Sequence, residues 1–186
     1  SDLNNDDLLD VAVSNKNSDS VGIFYGYGNG TFHSIVLHSI GDGASPYCIR
    51  SGDFNNDHAI DIAVVSPGIN YHVVLYGLGD GRFLLGPYFS TGTKTGPISM
   101  AVGDFNHDNK LDITTANFLM NNIGIHISYG NQSFGGVITY STGFGSDPQS
   151  VAVSDFNQDN QSDVVVANYG TSNIGIFLGF GDGSFT

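Results

Sequence analysis

Four nine-residue segments recur along this chain at a fixed spacing of 51 residues. They are Asp2–Asp10, Asp53–Asp61, Asp104–Asp112 and Asp155–Asp163, and each reads D-x-N-x-D-x-x-x-D. They align without gaps. Other features keep the same step: Gly28, Gly79, Gly130 and Gly181 mark a turn, Phe32, Phe83, Phe134 and Phe185 follow it, and Pro46, Pro97 and Pro148 mark a second turn. A fixed period of this length means one supersecondary unit repeated, each unit burying its apolar face against the next.

Within the unit, apolar runs bounded by turn residues read as four short strands. Ser99–Gly103 and Ser150–Ser154 lead into the Asp segment, and Asp61–Val65 and Asp163–Ala167 leave it. A third strand such as Ile174–Leu178 follows, then a Gly181-Asp-Gly183 hairpin, then a fourth strand such as Phe134 to Tyr140. The first two strands suit inner positions buried on both faces, and the last two alternate as outer strands do. No stretch carries a helical apolar period with caps, so essentially no helix is predicted.

Four strands per repeat of this length predict an all-β fold, a β-propeller of about four blades of four-stranded antiparallel sheets. Residues 1–186 form a single partial propeller. Its repeats run approximately over 1–47, 48–98, 99–149 and 150–186, the first blade lacking its innermost strand and the last most of its outermost. The expectation is a fragment of a longer ring, completed by further blades of the same parent chain; a four-bladed ring closed by joining both ends is the alternative.

Composition narrows the partners. The net charge is −13, with 18 acidic residues that are all Asp and only five Lys or Arg. So few cations argue against a nucleic-acid surface. Asp without Glu points to turns, caps and oxygen-donor loops rather than helix surfaces. No apolar run reaches the roughly 20 residues of a membrane helix, so no membrane insertion is expected. The lone Cys48 has no internal disulfide partner. It aligns with Ser99 and Ser150 and reads as a small buried residue.

The D-x-[DN]-x-D-x-x-x-D pattern, set in a β repeat with a G-D-G-x-F turn, resembles the FG-GAP/VCBS repeats of integrin α-subunit propellers and related secreted proteins. The resemblance covers the whole chain and implies a propeller that binds calcium through these loops. Ligand chemistry points the same way. Calcium takes six to eight oxygens. The first, third and fifth positions offer side chains: Asp2, Asn4 and Asp6; Asp53, Asn55 and Asp57; Asp104, Asn106 and Asp108; Asp155, Asn157 and Asp159. The seventh offers a backbone carbonyl, from Leu8, Ala59, Lys110 and Gln161, so its side chain varies freely. The ninth adds a carboxylate: Asp10, Asp61, Asp112 and Asp163. Up to four Ca2+ ions would move the net charge from −13 to −13 + 8 = −5. Oxygen-only donors do not suit zinc or copper, and Mg2+ holds its waters too tightly to compete well. Asx turns without an ion remain the alternative reading of the same residues.

Family members usually carry Gly at the sixth position, which needs a left-handed backbone. Here it is Asp7, His58, Asn109 and Asn160, types that tolerate that conformation. An EF-hand would need Gly there, Glu at position 12 and flanking helices, none of which is present.

Other motifs carry less. Gly26–Gly30 lies in a hairpin with no following helix, so it is not a nucleotide loop. The six His residues show no ligand or triad spacing and read mostly as surface residues. Asn29, Asn131 and Asn160 begin glycosylation tripeptides, the third inside a metal loop.

Strand parity puts the Asp loops and the hairpin between strands three and four on one face. The other face is built from Ser14–Ser20, Ser66–Tyr71, Ala116–Asn122 and Ala167–Asn173, with Phe118, Tyr169 and Tyr71 as its notable aromatics. Variable loops on a rigid frame suit recognition. The expectation is a calcium-stabilised, extracellular or cell-surface interaction and adhesion-type module, binding protein or glycan, without catalysis. A propeller lectin, or a non-catalytic domain attached to a secreted enzyme, is the alternative.

Overall fold

The computed structural model describes residues 1–186 as four antiparallel sheets radiating side by side. The first blade holds β1 (Val11–Asn15), β2 (Ser20–Phe24) and β3 (Val36–Ser39). The second holds β4 (Cys48–Gly52), β5 (Asp61–Ser66), β6 (Tyr71–Gly77) and β7 (Phe83–Ser90). The third holds β8 (Pro97–Gly103), β9 (Asp112–Asn117), β10 (Asn122–His126) and β11 (Ile138–Ser141). The fourth holds β12 (Pro148–Ser154), β13 (Asp163–Asn168) and β14 (Asn173–Phe177). Each sheet is a meander in chain order. Two single 3-10 turns, Lys16–Ser18 and Phe118–Met120, are the only helical residues. No helix is long and apolar enough to cross a membrane.

The core lies in the seams between blades rather than inside any one of them. Val21, Ile23 and Ile40 of the first blade pack on Ile62, Val64 and Leu75 of the second. Ala63, Val65 and Val74 meet Met100 and Ile113 across the second seam, and Ala116, Ile123 and Ile125 meet Val151, Val164 and Val166 across the third. A single blade therefore cannot bury its own apolar surface.

Three expectations are corrected. In the two middle blades the strands buried on both faces are the second and third, β5 and β6 and then β9 and β10, while β4 is half exposed. The innermost strand has a neighbour on only one side within its sheet, and its side chains Arg50 and Ser51 stay exposed. The fourth strand of the third blade does not start at Phe134, which makes only an isolated bridge to Ser128; β11 starts at Ile138. Gly135 and Gly136 intervene, and glycine weakens a strand through its backbone freedom and the lack of a side chain to pack. Finally, His72 and His126 are fully buried rather than superficial, and Cys48 is half-buried.

Candidate metal centre

Each Asp loop joins the first strand of a blade to the second, and all four fold through one hydrogen-bond scheme. The first Asp caps the turn. Its Oδ1 accepts the amide of the fifth residue at 3.2 Å in every loop. Its Oδ2 accepts the amide of the sixth, at 2.8 Å from Asp7 and His58 and 2.9 Å from Asn109 and Asn160. The fifth-position Asp accepts the amide of the seventh, from Ala59 to Asp57 at 2.8 Å and from Lys110 to Asp108 at 3.0 Å. Leu8 and Gln161 repeat this bond onto Asp6 and Asp159.

The sixth residue is left-handed in every loop, with φ of 66° at Asp7, 69° at His58, 60° at Asn109 and 63° at Asn160. The fourth residue is left-handed as well: Asn5, Asn56, His107 and Gln158 have φ of 58°, 62°, 58° and 64°. That second reversal was not anticipated, although Asn and His at this position in three loops are the residue types that mark it.

The ninth Asp sits beneath the loop and clamps it. Asp61 is fully buried; its Oδ2 accepts the Phe54 amide and its Oδ1 the Gly77 amide, both at 2.8 Å. Asp10 joins Leu3 to Gly26, Asp112 joins Phe105 to Ser128, and Asp163 joins Phe156 to Gly179 in the same way. The second partner lies where the third strand gives way to its hairpin. A Cβ on Gly77 would come within 2.3 Å of the Ile60 carbonyl oxygen, so the second blade leaves no room for a side chain there, although Ser128 fills the same place in the third.

Burial, and then repulsion from Asp57 and Asp53, pushes Asp61 up to about 6. Asp112 is pushed up to about 6 by burial and by Asp108 and Asp104. The carboxylates of a loop thus repel one another. Even so, no three acidic, His or Cys side chains gather tightly enough to form a metal cluster by themselves. The third-position amides stand between the carboxylates instead. Asn4, Asn55 and Asn157 donate Nδ2 to the fifth-position Asp at 2.9, 2.8 and 2.8 Å. In the third loop Lys110 Nζ donates to Asp108 Oδ2 at 2.8 Å. The Asn4 Oδ1 is buried without a hydrogen-bond partner. Turning that amide over would present an oxygen beside the Asp2 and Asp6 carboxylates. The donor set therefore fits a hard cation: two carboxylates, one amide oxygen and the seventh-position carbonyl, with a free lone pair on the clamping Asp.

The opposite face is built as a second repeated set. Asp19 Oδ1 accepts the Ser45 amide at 2.7 Å, and the Oδ1 atoms of Asn70 and Asn121 accept the Gly96 and Asp147 amides at 2.9 Å. These residues keep the 51-residue step and are left-handed, a recurrence missed because Asp replaces Asn once. The most exposed aromatics here are Phe144 and Tyr169; Phe118 is half-buried, and its neighbours Leu119 and Met120 are exposed in its place. Tyr71 and Tyr88 stand edge to face, 6.3 Å apart, over a shallow pocket shared with Gly41, Asp42 and Ile69.

Among solved structures, a streptogramin B lyase is similar to 90% of this chain, with a TM-score of 0.61 and 13% identity over 50% of its own length. An Agrocybe aegerita lectin that recognises non-reducing terminal N-acetylglucosamine matches 91% of the chain, with a TM-score of 0.59 and 18% identity over 45% of its length. A catalytically inactive virginiamycin B lyase from Staphylococcus aureus with quinupristin matches 90%, with a TM-score of 0.56 and 16% identity over 51% of its length. The chain thus spans about half the length of these structures. At such identities they share a propeller-like fold with it. No curated protein sequence matches the chain. The sequence model of the FG-GAP-like repeat matches residues 2–64 and again 59–115, over the same loops and strands that repeat in the structure. The chain therefore belongs to the FG-GAP-like repeat family.

Proposed function

We propose that this chain is a calcium-braced interaction module that works outside the cell. The observation that carries this reading is the fourfold identity of the Asp loops, one hydrogen-bond scheme in all four, with mutually repelling carboxylates in the second and third and no lysine or arginine counter-cation in three of them. Asp2, Asn4, Asp6 and the Leu8 carbonyl would hold one ion, with Asp10 beneath. The other ions would be held by Asp53, Asn55, Asp57, Ala59 and Asp61; by Asp104, Asn106, Asp108, Lys110 and Asp112; and by Asp155, Asn157, Asp159, Gln161 and Asp163. Bound calcium supplies charge neutralisation and fixes the turn. The chain's own residues do the rest, with the clamping Asp tying the loop to its blade. At a Kd of roughly 10⁻⁵ M, millimolar calcium stabilises each site by about 2.7 kcal/mol, while cytosolic calcium leaves it mostly empty.

The face opposite these loops would bind the partner, a protein or glycan. Phe144 and Tyr169 support this, because large aromatics left in water on a rigid frame are the usual anchors of an interface. No catalytic role is proposed. The reading is tested by calcium titration calorimetry and by melting with and without EDTA. Expected are up to four ions and a markedly lower melting temperature in EDTA. Absence of calcium binding would overturn it.

A second reading is a glycan-binding propeller. The pocket under Tyr71 and Tyr88 favours it, with an apolar ring face beside the Asp42 carboxylate. A glycan array, repeated with Tyr71→Ala, separates the two.

A further inference from the structure

We propose that the seam between the second and third blades is an acid-sensitive joint: protonation of the facing imidazoles of His72 and His126 releases these two blades from each other while the neighbouring seams hold. His72 lies on β6 and His126 on β10, their ring centroids 4.4 Å apart across the seam. Both side chains are fully buried. All four ring nitrogens lack a hydrogen-bond partner. Phe89 stacks on His72 at 5.2 Å and Phe134 closes the box edge-on at 5.1 Å.

The repeat supplies an internal control. Counting 51 residues back places Val21 and Leu75 at the same two positions of the first seam; counting forward places Ile123 and Phe177 in the third. The remaining walls correspond as well: Phe89 and Phe134 are matched by His38 and Phe83 before and by Tyr140 and Phe185 after. Two apolar side chains fill this place in each flanking seam, and only the middle seam carries a pair of imidazoles; the single His38 in the wall of the first seam, which burial also lowers, is common to wild type and variant in the test below.

Neutral imidazoles pack there as flat apolar rings. A protonated one would bring a charge into a site with no acceptor for its N–H groups. Within the apolar cluster around the pair the titratable groups are the Cys48 thiol on β4 and the Tyr76 phenol on β6, the phenol held neutral by burial; on the same strands Arg50 and Tyr71 are exposed, and Asp61 and Asp112, at the starts of β5 and β9, are engaged by backbone amides. The other seam-facing residues, Ala63 and Val65 of β5, Met100 of β8 and Ile113 of β9, carry no charge. No carboxylate is hydrogen-bonded to either ring. Burial accordingly holds His72 well below the usual histidine value of 6.5 and His126 at about 4. Both stay neutral in the closed seam below pH 6.5, whereas in the opened form both take up a proton. Each imidazole then favours opening about tenfold per pH unit as pH falls from 6.5 toward these values.

The test compares the purified calcium-loaded chain with a His72→Val, His126→Leu double variant, which installs the pair of the first seam. Melting temperature is read from pH 7 to pH 5, and hydrogen exchange of β6 and β10 is followed over the same range. Carboxyl groups elsewhere respond alike in both proteins, so only the difference in slope is read. The wild-type melting temperature should fall more steeply, with exchange rising first at β6 and β10; equal slopes would overturn the proposal. Should the variant fail to fold, histidine-selective NMR of the wild type decides. The assigned His72 and His126 imidazoles should remain neutral at pH 5.5 in the folded protein, and either of the pair titrating near 6.5 while the seam stays closed refutes the joint.

Discussion

Asp61 holds its blade together by accepting the amide of Gly77 at 2.8 Å while its other oxygen holds Phe54. It is fully buried, so both bonds are charge-assisted and shielded from water. Replacing Asp61 with Ala removes both and leaves two buried amides without acceptors. The expected loss is about 3 kcal/mol or more, measured by denaturant unfolding in EDTA, where no metal contributes. A loss below about 0.5 kcal/mol would assign the clamp no weight.

The same residue sets a pH response in the metal-free chain. Burial and its two acidic neighbours raise Asp61 to about 6, against an ordinary value of 3.8. The folded state therefore binds this proton before the unfolded state does. In EDTA, lowering the pH from about 6 toward 3.8 should make the Asp61 position stabilise the fold progressively, by up to about 1.4 kcal/mol per pH unit. Unfolding free energies of wild type and Asp61→Asn at pH 7 and pH 5 check the sign: the advantage of wild type should grow on acidification.

Metal ligation predicts a separable effect at the loop rim. The Asp57 carboxylate accepts two bonds inside the loop, from the Ala59 amide and the Asn55 Nδ2, and lies outside the buried clamp. Asp57→Ala should remove one calcium from the calorimetric stoichiometry while leaving the strand content, read by circular dichroism, intact. Unchanged stoichiometry would exclude Asp57 as a ligand.

The left-handed positions give a test of opposite sign. Gln158 holds φ of 64° without the local side-chain chemistry that favours Asn or Asp there. Gln158→Gly should stabilise the chain by about 0.5 kcal/mol, relief of the left-handed strain being partly offset by chain entropy. Gly181→Ala should do the reverse, because its φ is 74° and a Cβ there would run into the Gln161 side chain. Paired thermal melts measure both.

Phe144 bears on recognition. It is wholly exposed, so Phe144→Ser should change stability by no more than about 0.5 kcal/mol. If the face opposite the Asp loops binds a partner, the same variant lowers adhesion to immobilised extracellular-matrix protein or glycan relative to wild type at equal melting temperature.

Much of this architecture was legible because the repeat is spelled out at ungapped positions. The 51-residue step aligned the Asp loops, the hairpin glycines and the strands between them, and the sheets follow that order. The first-position Asp was legible as a loop residue. The double role of Asp61 was not, since a carboxylate that clamps backbone amides and one that ligates a cation look alike in sequence. The burial of His72 and His126 was not legible, since neither recurs at the 51-residue step or carries a ligand or triad spacing. Their burial follows from occupying the register of Val21 and Leu75, a comparison available in the repeat once the strands are paired. The recurring Asp19, Asn70 and Asn121 caps were hidden by the exchange of one side chain for a close relative.

The clamps also bear on how this chain comes apart. Each ties together a loop and a hairpin of one blade, whereas the apolar clusters tie one blade to the next. Cooperativity is thus divided into two currencies, one within blades and one between them, as in a linear array. The first and fourth blades each have an apolar seam on one side only, and the fourth is the more exposed: Ile174 and Ile176 are 66% and 52% exposed, against 42% and 38% at Val11 and Val13 of the first. Unfolding of the isolated chain should therefore start at the fourth blade and proceed inward in steps, with the middle seam parting out of turn in acid.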